Sequence, residues 1–226
     1  MTAESERQMV TISDRIEGFV SVVAEPQTYL NLVYLALAFT LGMVYFTIFT
    51  FAFAFGIALA IFLVGFVVLL FALVGSRFVA EFERILANVL LKTDIESPPP
   101  IRQDDPWSTI VVYTTAGSTW RGLGFLALKF WIGLVSGLLV IIGIGVTLGL
   151  LSAPVASEPV VVMDYTIDST VESFLAVPVG ILFGLAFLHV ANATATLSAS
   201  MAVALLDESD GSAVKRRATE QDSERV

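Results

Sequence analysis

The chain has 226 residues, of which 56% are hydrophobic and only 15% are charged, a balance typical of integral membrane proteins. Its formal net charge is −9 and it has no Cys, which excludes disulfide frameworks, thiol catalysis and Cys-ligated metals. The negative charge also argues against a nucleic-acid partner, because phosphate neutralisation requires clustered Lys and Arg.

The acidic composition is poor in lysine, with only Lys92, Lys129 and Lys215. In this respect it resembles the proteins of salt-loving archaea, the haloarchaea, whose surfaces stay hydrated in concentrated salt. We therefore expect a haloarchaeal membrane protein.

The first segment, residues 1–28, predicts a cytoplasmic amphipathic helix. Apolar residues recur at helical spacing within residues 6–25, which is the pattern of a helix lying on a membrane surface. Those residues are Met9, Ile12, Ile16, Phe19, Val20 and Val23.

A long apolar block follows, because residues 26–76 contain no Asp, Glu, Lys, Arg or His. As one helix, residues 29–75 would measure roughly 70 Å, against about 30 Å for the hydrocarbon core of a bilayer. The block must therefore cross twice, and we predict spans at 29–50 and 53–75. The tight turn between them is expected near residues 50–56, where Gly56 relaxes the backbone.

The inner loop, residues 76–121, begins with a second amphipathic pattern at residues 78–91. Its apolar residues form one stripe and its charged residues lie off that stripe, so we expect a helix along the inner membrane surface. The stripe is Phe78, Phe82, Ile85 and Val89, and the residues off it are Arg77, Glu81, Glu83, Arg84 and Asn88.

Two further spans are predicted at residues 122–151 and 174–200, joined by an outer loop at 152–173. Within this loop, residues 159–163 and 165–167 are rich in β-branched residues and predict a short hairpin or lid. Residues 207–226 are polar, which is typical of a disordered tail. The predicted fold is an all-α membrane protein with four transmembrane helices.

The positions of the cations predict the orientation. Every Lys and Arg lies in the N-terminal segment, within residues 77–129, or from Lys215 onward. In the loop at 152–173, by contrast, all the charged residues are acidic. By the positive-inside rule we expect a multi-pass protein of the cell membrane with both termini and the central loop in the cytoplasm.

A weak internal repeat relates the two halves. Residues 34–44 (YLALAFTLGMV) align with residues 125–135 (FLALKFWIGLV), and residues 87–91 echo residues 202–206. Because each predicted half begins and ends inside, the repeat would be parallel.

Four segments in this order resemble the putative sensor domain family, a four-span membrane domain of haloarchaea and actinobacteria that is often fused to histidine kinases. They are residues 34–46 (YLALAFTLGMVYF), 119–133 (TWRGLGFLALKFWIG), 167–180 (IDSTVESFLAVPVG) and 188–192 (LHVAN), with Leu205 and Leu206 following. The resemblance covers residues 29–206 and implies membrane sensing or signalling. No kinase module follows Leu206, so an output domain within this chain is not expected.

His189 is the only histidine and lies inside the fourth predicted span. At helical spacing it shares a face with Asn192, Thr196 and Ser200. One interpretation is a ligand or proton site, since ionisable groups within a bilayer usually face the protein interior. The other is hydrogen bonding between helices, which such groups commonly provide.

Lys129 lies about two turns into the third span. Snorkelling to the inner head groups is the expected explanation, and pairing with a buried anion or a lipid phosphate is the alternative. Trp107, Trp120 and Trp131 flank the same interface, as aromatic belts do.

Asp168 and Glu172 stand four residues apart just before the fourth span. They are candidates for a cation site, although acids are also favoured near the start of a helix by its dipole. A single histidine with no acid in any predicted span does not make a metal site, so no metal and no cofactor are expected.

The leading functional hypothesis is a non-enzymatic sensor-like or scaffold protein. Its expected partners are membrane lipid, a second copy of the chain, and a separate cytoplasmic signalling protein. The alternative is a small transporter or lipid-binding protein with a polar cavity around His189. A membrane enzyme ranks third, because no acid–base pair can be assembled within the predicted spans.

Overall fold

Four long helices dominate the computed structural model, which describes residues 17–97 and 117–207. They are α1 (Pro26–Ala58), α2 (Val64–Leu91), α3 (Gly117–Ser152) and α4 (Thr170–Leu206). Each is long and apolar enough to cross a membrane. Many large apolar side chains are exposed on them, as lipid-facing positions require, which identifies an all-α, multi-pass membrane protein.

The turn between α1 and α2 falls at residues 59–63, later than predicted. Gly56 lies inside α1, and Leu63 supplies the left-handed residue of the turn with φ 61°. Gly65 allows the tight reversal, because a Cβ atom there would collide with the backbone of Gly56 and Ala60. The turn therefore depends on Gly65, at the point where α1 and α2 touch, rather than on Gly56.

The segment predicted as a separate surface helix, residues 78–91, is the C-terminal half of α2. Its apolar stripe is exposed, with Phe78 and Val89 at 73% and 65%. The expectation of a polar face in water is wrong for Glu83 and Arg84, which are 0% and 4% exposed. Both residues face the protein interior, because neighbouring helices supply their partners.

After α2 the chain reverses and runs back along the helix. Lys92 takes a left-handed conformation with φ 54°. The Asn88 amide group then bonds both the N–H and the carbonyl of Ile95, at 3.0 and 3.2 Å. The hydroxyl of Ser97 donates to Glu81 at 2.6 Å.

A small hairpin precedes α4. Strands β1 (Val160–Val162) and β2 (Tyr165–Ile167) are antiparallel, with Val161 opposite Thr166. Buried Ile167 packs with Ala153 and Ala176 in a local apolar cluster.

The described residues divide into two compact units, one formed by residues 17–36 and 136–195 and the other by residues 37–97, 117–135 and 196–207. Within the second unit α1 and α3 are antiparallel. A Cβ atom at Gly42 would lie 2.8 Å from the carbonyl oxygen of Lys129, whereas one at Gly133 would collide with the backbone of Ala38. The rings of Phe46 and Phe130 stack 4.1 Å apart nearby.

This direction differs from the predicted topology, in which α1 and α3 both run from the cytoplasm outward. An internal repeat that relates these two helices would therefore be inverted rather than parallel. The sequence could not reveal this, because similar apolar segments carry no sign of their direction.

Only part of the predicted N-terminal helix is described. Residues 17–20 are helical and residues 21–23 form a turn of 3₁₀ helix. Within the first unit Val20 and Leu151 line one cavity. The predicted topology places these two residues on opposite membrane faces, and that orientation stays a prediction. Residues 1–16, Trp107 and the basic tail from Lys215 lie outside the described residues.

Candidate functional site

A buried ion pair joins α2 to α3 in the second unit. The Lys129 Nζ atom lies 2.7 Å from the Glu83 Oε2 atom, and the two side chains are 1% and 0% exposed. Lys129 thus adopts the alternative of pairing with a buried anion rather than snorkelling to the head groups. Because an isolated charge in an apolar interior is very costly, each of these two side chains is stabilised by the other.

Two aromatic residues adjoin this pair. The Lys129 ammonium group lies 5.9 Å from the centre of the Phe125 ring, within range of a cation–π contact. The hydroxyl group of Tyr45, on α1, interacts with the Glu83 carboxylate. The second carboxylate oxygen, Oε1, accepts no hydrogen bond from any residue in the part of the chain that the structure describes. A polar centre with one unused acceptor therefore connects α1, α2 and α3.

Two arginines in the same unit hold the C-terminal end of α4. Arg84 donates through Nε to the carbonyl of Leu206 at 3.1 Å, and Arg121 donates through Nη2 to Ala204 and Asp207 at 3.0 and 2.9 Å. The last carbonyls of a helix lack partners within it and carry partial negative charge, so cations there are stabilising. Arg84 also pairs with Glu81 at 2.8 Å.

Sequence reasoning missed most of this cluster. Glu83 and Arg84 were expected on a water-facing surface, and Tyr45 was not singled out at all. A usable signal existed, because a lysine within a span requires an anion and Glu83 is one of few acids near a predicted span. Only the helix arrangement could identify it as the partner.

A second polar group lies in the first unit, between the start of α1 and the middle of α4. The Asn192 amide donates to Thr28 and accepts from Asn31, both at 2.9 Å. Gln27 donates in turn to Asn31 at 2.9 Å. Thr28 is fully buried and Asn31 is 8% exposed. This chain of neutral hydrogen bonds is the interaction that polar residues commonly make between membrane helices.

His189 belongs to the same unit and is half-buried. Its Nε2 atom lies 3.0 Å from the carbonyl of Phe19, so it carries the proton and donates, and the two rings stack 4.6 Å apart. Thr196 and Ser200, predicted on the same face, are exposed, and Ser200 bonds back to the carbonyl of Thr196. The structure therefore does not assemble the predicted four-residue face into one site.

A cavity of about 540 Å³ lies in the first unit, and its lining includes Leu188, the neighbour of His189. Its other residues come from the N-terminal turn, α1, α3 and α4. Thr147 is the single hydroxyl-bearing residue of that lining, and its hydroxyl donates to the carbonyl of Gly143. The cavity beside His189 is thus apolar rather than polar.

The outer acidic pair is used locally. The Tyr165 hydroxyl donates to Glu172 at 3.1 Å, and this bond to a carboxylate raises the pKa of Tyr165. Ser169 accepts the N–H of Glu172 at 3.2 Å, which is a capping arrangement at the start of α4. Asp168 is exposed, and the described residues contain no cluster of three potential metal ligands.

Comparison with known proteins gives a family for this chain. The model of a family described as "Putative sensor" matches residues 16–206. The chain belongs to the Putative sensor family. No curated protein and no solved structure matches it.

Both polar groups lie within the part of the chain that matches the Putative sensor family. The resemblance of residues 34–46 and 119–133 is confirmed at the level of the family. These segments carry Tyr45 and Lys129 of the buried polar centre, and also Arg121, whereas Glu83 lies outside them.

Proposed function

We propose that the protein is a membrane-embedded sensor that acts through a separate cytoplasmic partner, and that the Glu83–Lys129 pair couples its helices to the end of α4. The single observation that carries this proposal is the buried ion pair at 2.7 Å. Ionisable residues within membrane segments are costly and tend to be functional. Membership in a sensor family supports the same reading.

The coupling follows from the contacts of α2. Glu83 bonds α3, whereas its neighbour Arg84 bonds the last carbonyl of α4. A rotation of α2 that strains one contact must strain the other, because consecutive side chains are fixed to the same backbone. The end of α4, where the chain leaves toward residues 208–226, is therefore the natural output point.

The orientation that we propose differs from the charge-based prediction for the N-terminal segment. In the first unit, Leu151, near the end of α3, shares a cavity with Val20, so we place residues 17–23 outside, with the acidic loop that follows α3. In the second unit, Arg121 contacts Asp207, and by the positive-inside rule we place both residues on the cytoplasmic side.

Cross-linking in native membranes tests the partner. A photoreactive residue at Asp207 should capture a soluble protein, and the Glu83→Met/Lys129→Met double variant should change the yield. Glu158→Gln, a change at an exposed outer acid, is the control and should leave the yield unaltered. Capture of only a second copy of the chain, or equal yields in all three proteins, would count against a separate partner coupled through this pair.

A lipid-binding role is the second candidate. It is favoured by the 540 Å³ apolar cavity of the first unit, which suits a hydrocarbon chain better than a polar solute. Filling this cavity with Gly184→Leu should reduce saturable binding of a spin-labelled fatty acid. Gly145→Leu is the control, since no atom lies within 4 Å of a Cβ at that position. Unchanged binding in Gly184→Leu would remove the lipid-binding candidate.

A further inference from the structure

Residues 92–97 form a strap that runs back along the C-terminal half of α2. Asn88 fixes the middle of the strap, because its side chain accepts from the Thr93 hydroxyl at 2.8 Å and bonds the N–H and the carbonyl of Ile95. Ile95 is 4% exposed and belongs to the same apolar cluster as Leu206, the last residue of α4. The strap is therefore packed into the protein together with the end of α4.

Ser97 connects the strap to a chain of three polar contacts. Its hydroxyl donates to the Glu81 Oε1 atom at 2.6 Å, and the Glu81 Oε2 atom accepts from the Arg84 Nη1 atom at 2.8 Å. Arg84 in turn donates through Nε to the carbonyl of Leu206 at 3.1 Å. The chain of contacts thus leads from an exposed serine to the final carbonyl of α4.

Glu81 is the residue on which this chain of contacts depends. Its side chain is 40% exposed and has room to turn toward water, whereas the Arg84 side chain is 5% exposed. Ser97 holds one carboxylate oxygen and Arg84 holds the other, and hydrogen bonds to an ionised acceptor are stronger than neutral ones. Without Ser97, the hydrated rotamers of Glu81 compete with its bond to Arg84. Arg84 then loses part of the support that keeps it against Leu206.

We propose that the strap regulates the end of α4: while Ser97 is bonded to Glu81, Arg84 is held on the Leu206 carbonyl, and when the strap leaves α2 this hold loosens. Ser97 and Glu81 are positioning residues in this arrangement, because they act through Arg84. The inference rests on the proposed function for its biological meaning, since it names the regulation of the same output end. The contacts of the strap do not depend on any partner.

Hydrogen exchange, followed by mass spectrometry on the whole chain in phosphatidylcholine nanodiscs, measures the hold on α4. The signal is the exchange rate of amides 203–207, where the Asp207 N–H bonds the Val203 carbonyl at 3.0 Å. Ser97→Ala should speed this exchange about two- to tenfold, the usual worth of one hydrogen bond. Ser97→Thr keeps the hydroxyl group and should retain the wild-type rate. Wild-type rates in Ser97→Ala would overturn the proposal.

Two comparisons separate regulation from general loss of stability. Glu96→Gln is the matched control, because it changes an exposed acid of the same strap and should leave the rate unaltered. The β1–β2 hairpin, in the other unit, is the internal reference and should exchange equally in all variants. Acceleration in Glu96→Gln that equals the acceleration in Ser97→Ala, or faster exchange of the hairpin in Ser97→Ala, would refute a specific role for Ser97.

A double variant tests the order of the contacts. Glu81→Ala should speed the exchange of amides 203–207 by itself, and adding Ser97→Ala should speed it no further, because Ser97 acts through Glu81. Two effects that multiply would show that the residues act independently and would refute the chain of contacts.

The exchange measurement requires no cytoplasmic partner, so its failure is distinguishable from failure of the proposed function. Unchanged exchange in Ser97→Ala with intact partner cross-linking would remove the regulatory strap alone. Faster exchange without any captured partner would support the strap and remove the output.

Discussion

Replacing Lys129 by Met tests whether this lysine pairs with Glu83 or reaches the head groups. At 2.7 Å and an effective dielectric constant of about 20, the two charges attract by about 6 kcal/mol. Desolvation of several kcal/mol for each ion offsets most of this attraction. The pair as a whole therefore contributes little net stability, whereas breaking it exposes the full cost of one buried charge.

We expect Lys129→Met to lower the free energy of unfolding by about 3–5 kcal/mol, because Glu83 is left buried without its cation. The Glu83→Met/Lys129→Met double variant should lie close to the wild type, since two apolar side chains of similar volume replace the pair. Lys92→Met, a change at an exposed cation, should stay within about 0.5 kcal/mol.

The assay is reversible unfolding in mixed micelles, followed by tryptophan fluorescence, with all variants combined in a double-mutant cycle. A snorkelling lysine predicts a different result, in which Lys129→Met behaves like Lys92→Met. A double variant that loses the sum of the two single losses would equally refute the ion-pair reasoning, because it would show that the residues act independently.

Three further predictions concern packing, topology and the histidine. Gly133→Leu should disrupt α1–α3 packing and lower the melting temperature, because a Cβ atom at Gly133 would collide with the backbone of Ala38, whereas Gly145→Leu should not, because no atom lies within 4 Å of a Cβ atom there; equal melting temperatures would contradict this. Since the chain has no native cysteine, single cysteines at Ser21 and Ser157 should react with an impermeant maleimide from outside, whereas one at Ser97 should not; protection of Ser21 would restore the charge-based topology. His189→Gln should keep the hydrogen bond to Phe19 and the wild-type melting temperature, whereas His189→Leu should lose about 1 kcal/mol of stability; equal stabilities would show that the bond contributes nothing.

The sequence determined the class of fold well, and the reason is physical. An uncharged block from 26 to 76 can only be accommodated by a bilayer, and the lengths of the apolar blocks predict the number of candidate helices. Helix ends were less predictable. The turn at 59–63 depends on Gly65, whose value lies in a contact with Gly56 that no local pattern reveals.

The candidate functional residues were likewise predictable only in part. Lys129 and His189 stood out because polar groups in apolar segments are rare, and both have partners in the structure. Their partners, Glu83 and Phe19, could not be chosen from sequence, since each lies far along the chain. The apolar periodicity of residues 78–91 was also misleading, because it implied one face in water and one face in lipid. In the structure this part of α2 has a further face that packs against other helices, and Glu83 lies on that face.

The contact between α1 and α3 also shows how Lys129 relates to the internal repeat. Lys129 stands where the aligned first segment has Ala38, and Gly133 stands where it has Gly42. Gly42 lies against the backbone of Lys129, and Gly133 lies against the backbone of Ala38. The backbone contact is therefore nearly symmetric, whereas the side chains of Ala38 and Lys129 differ. The lysine in one half is paired with buried Glu83 at 2.7 Å, whereas the other half has Ala at the matching position. The ion pair is therefore specific to one half of the repeat and is not part of the contact that the two halves have in common. This asymmetry adds to the reasons for which we propose that the pair couples the helices.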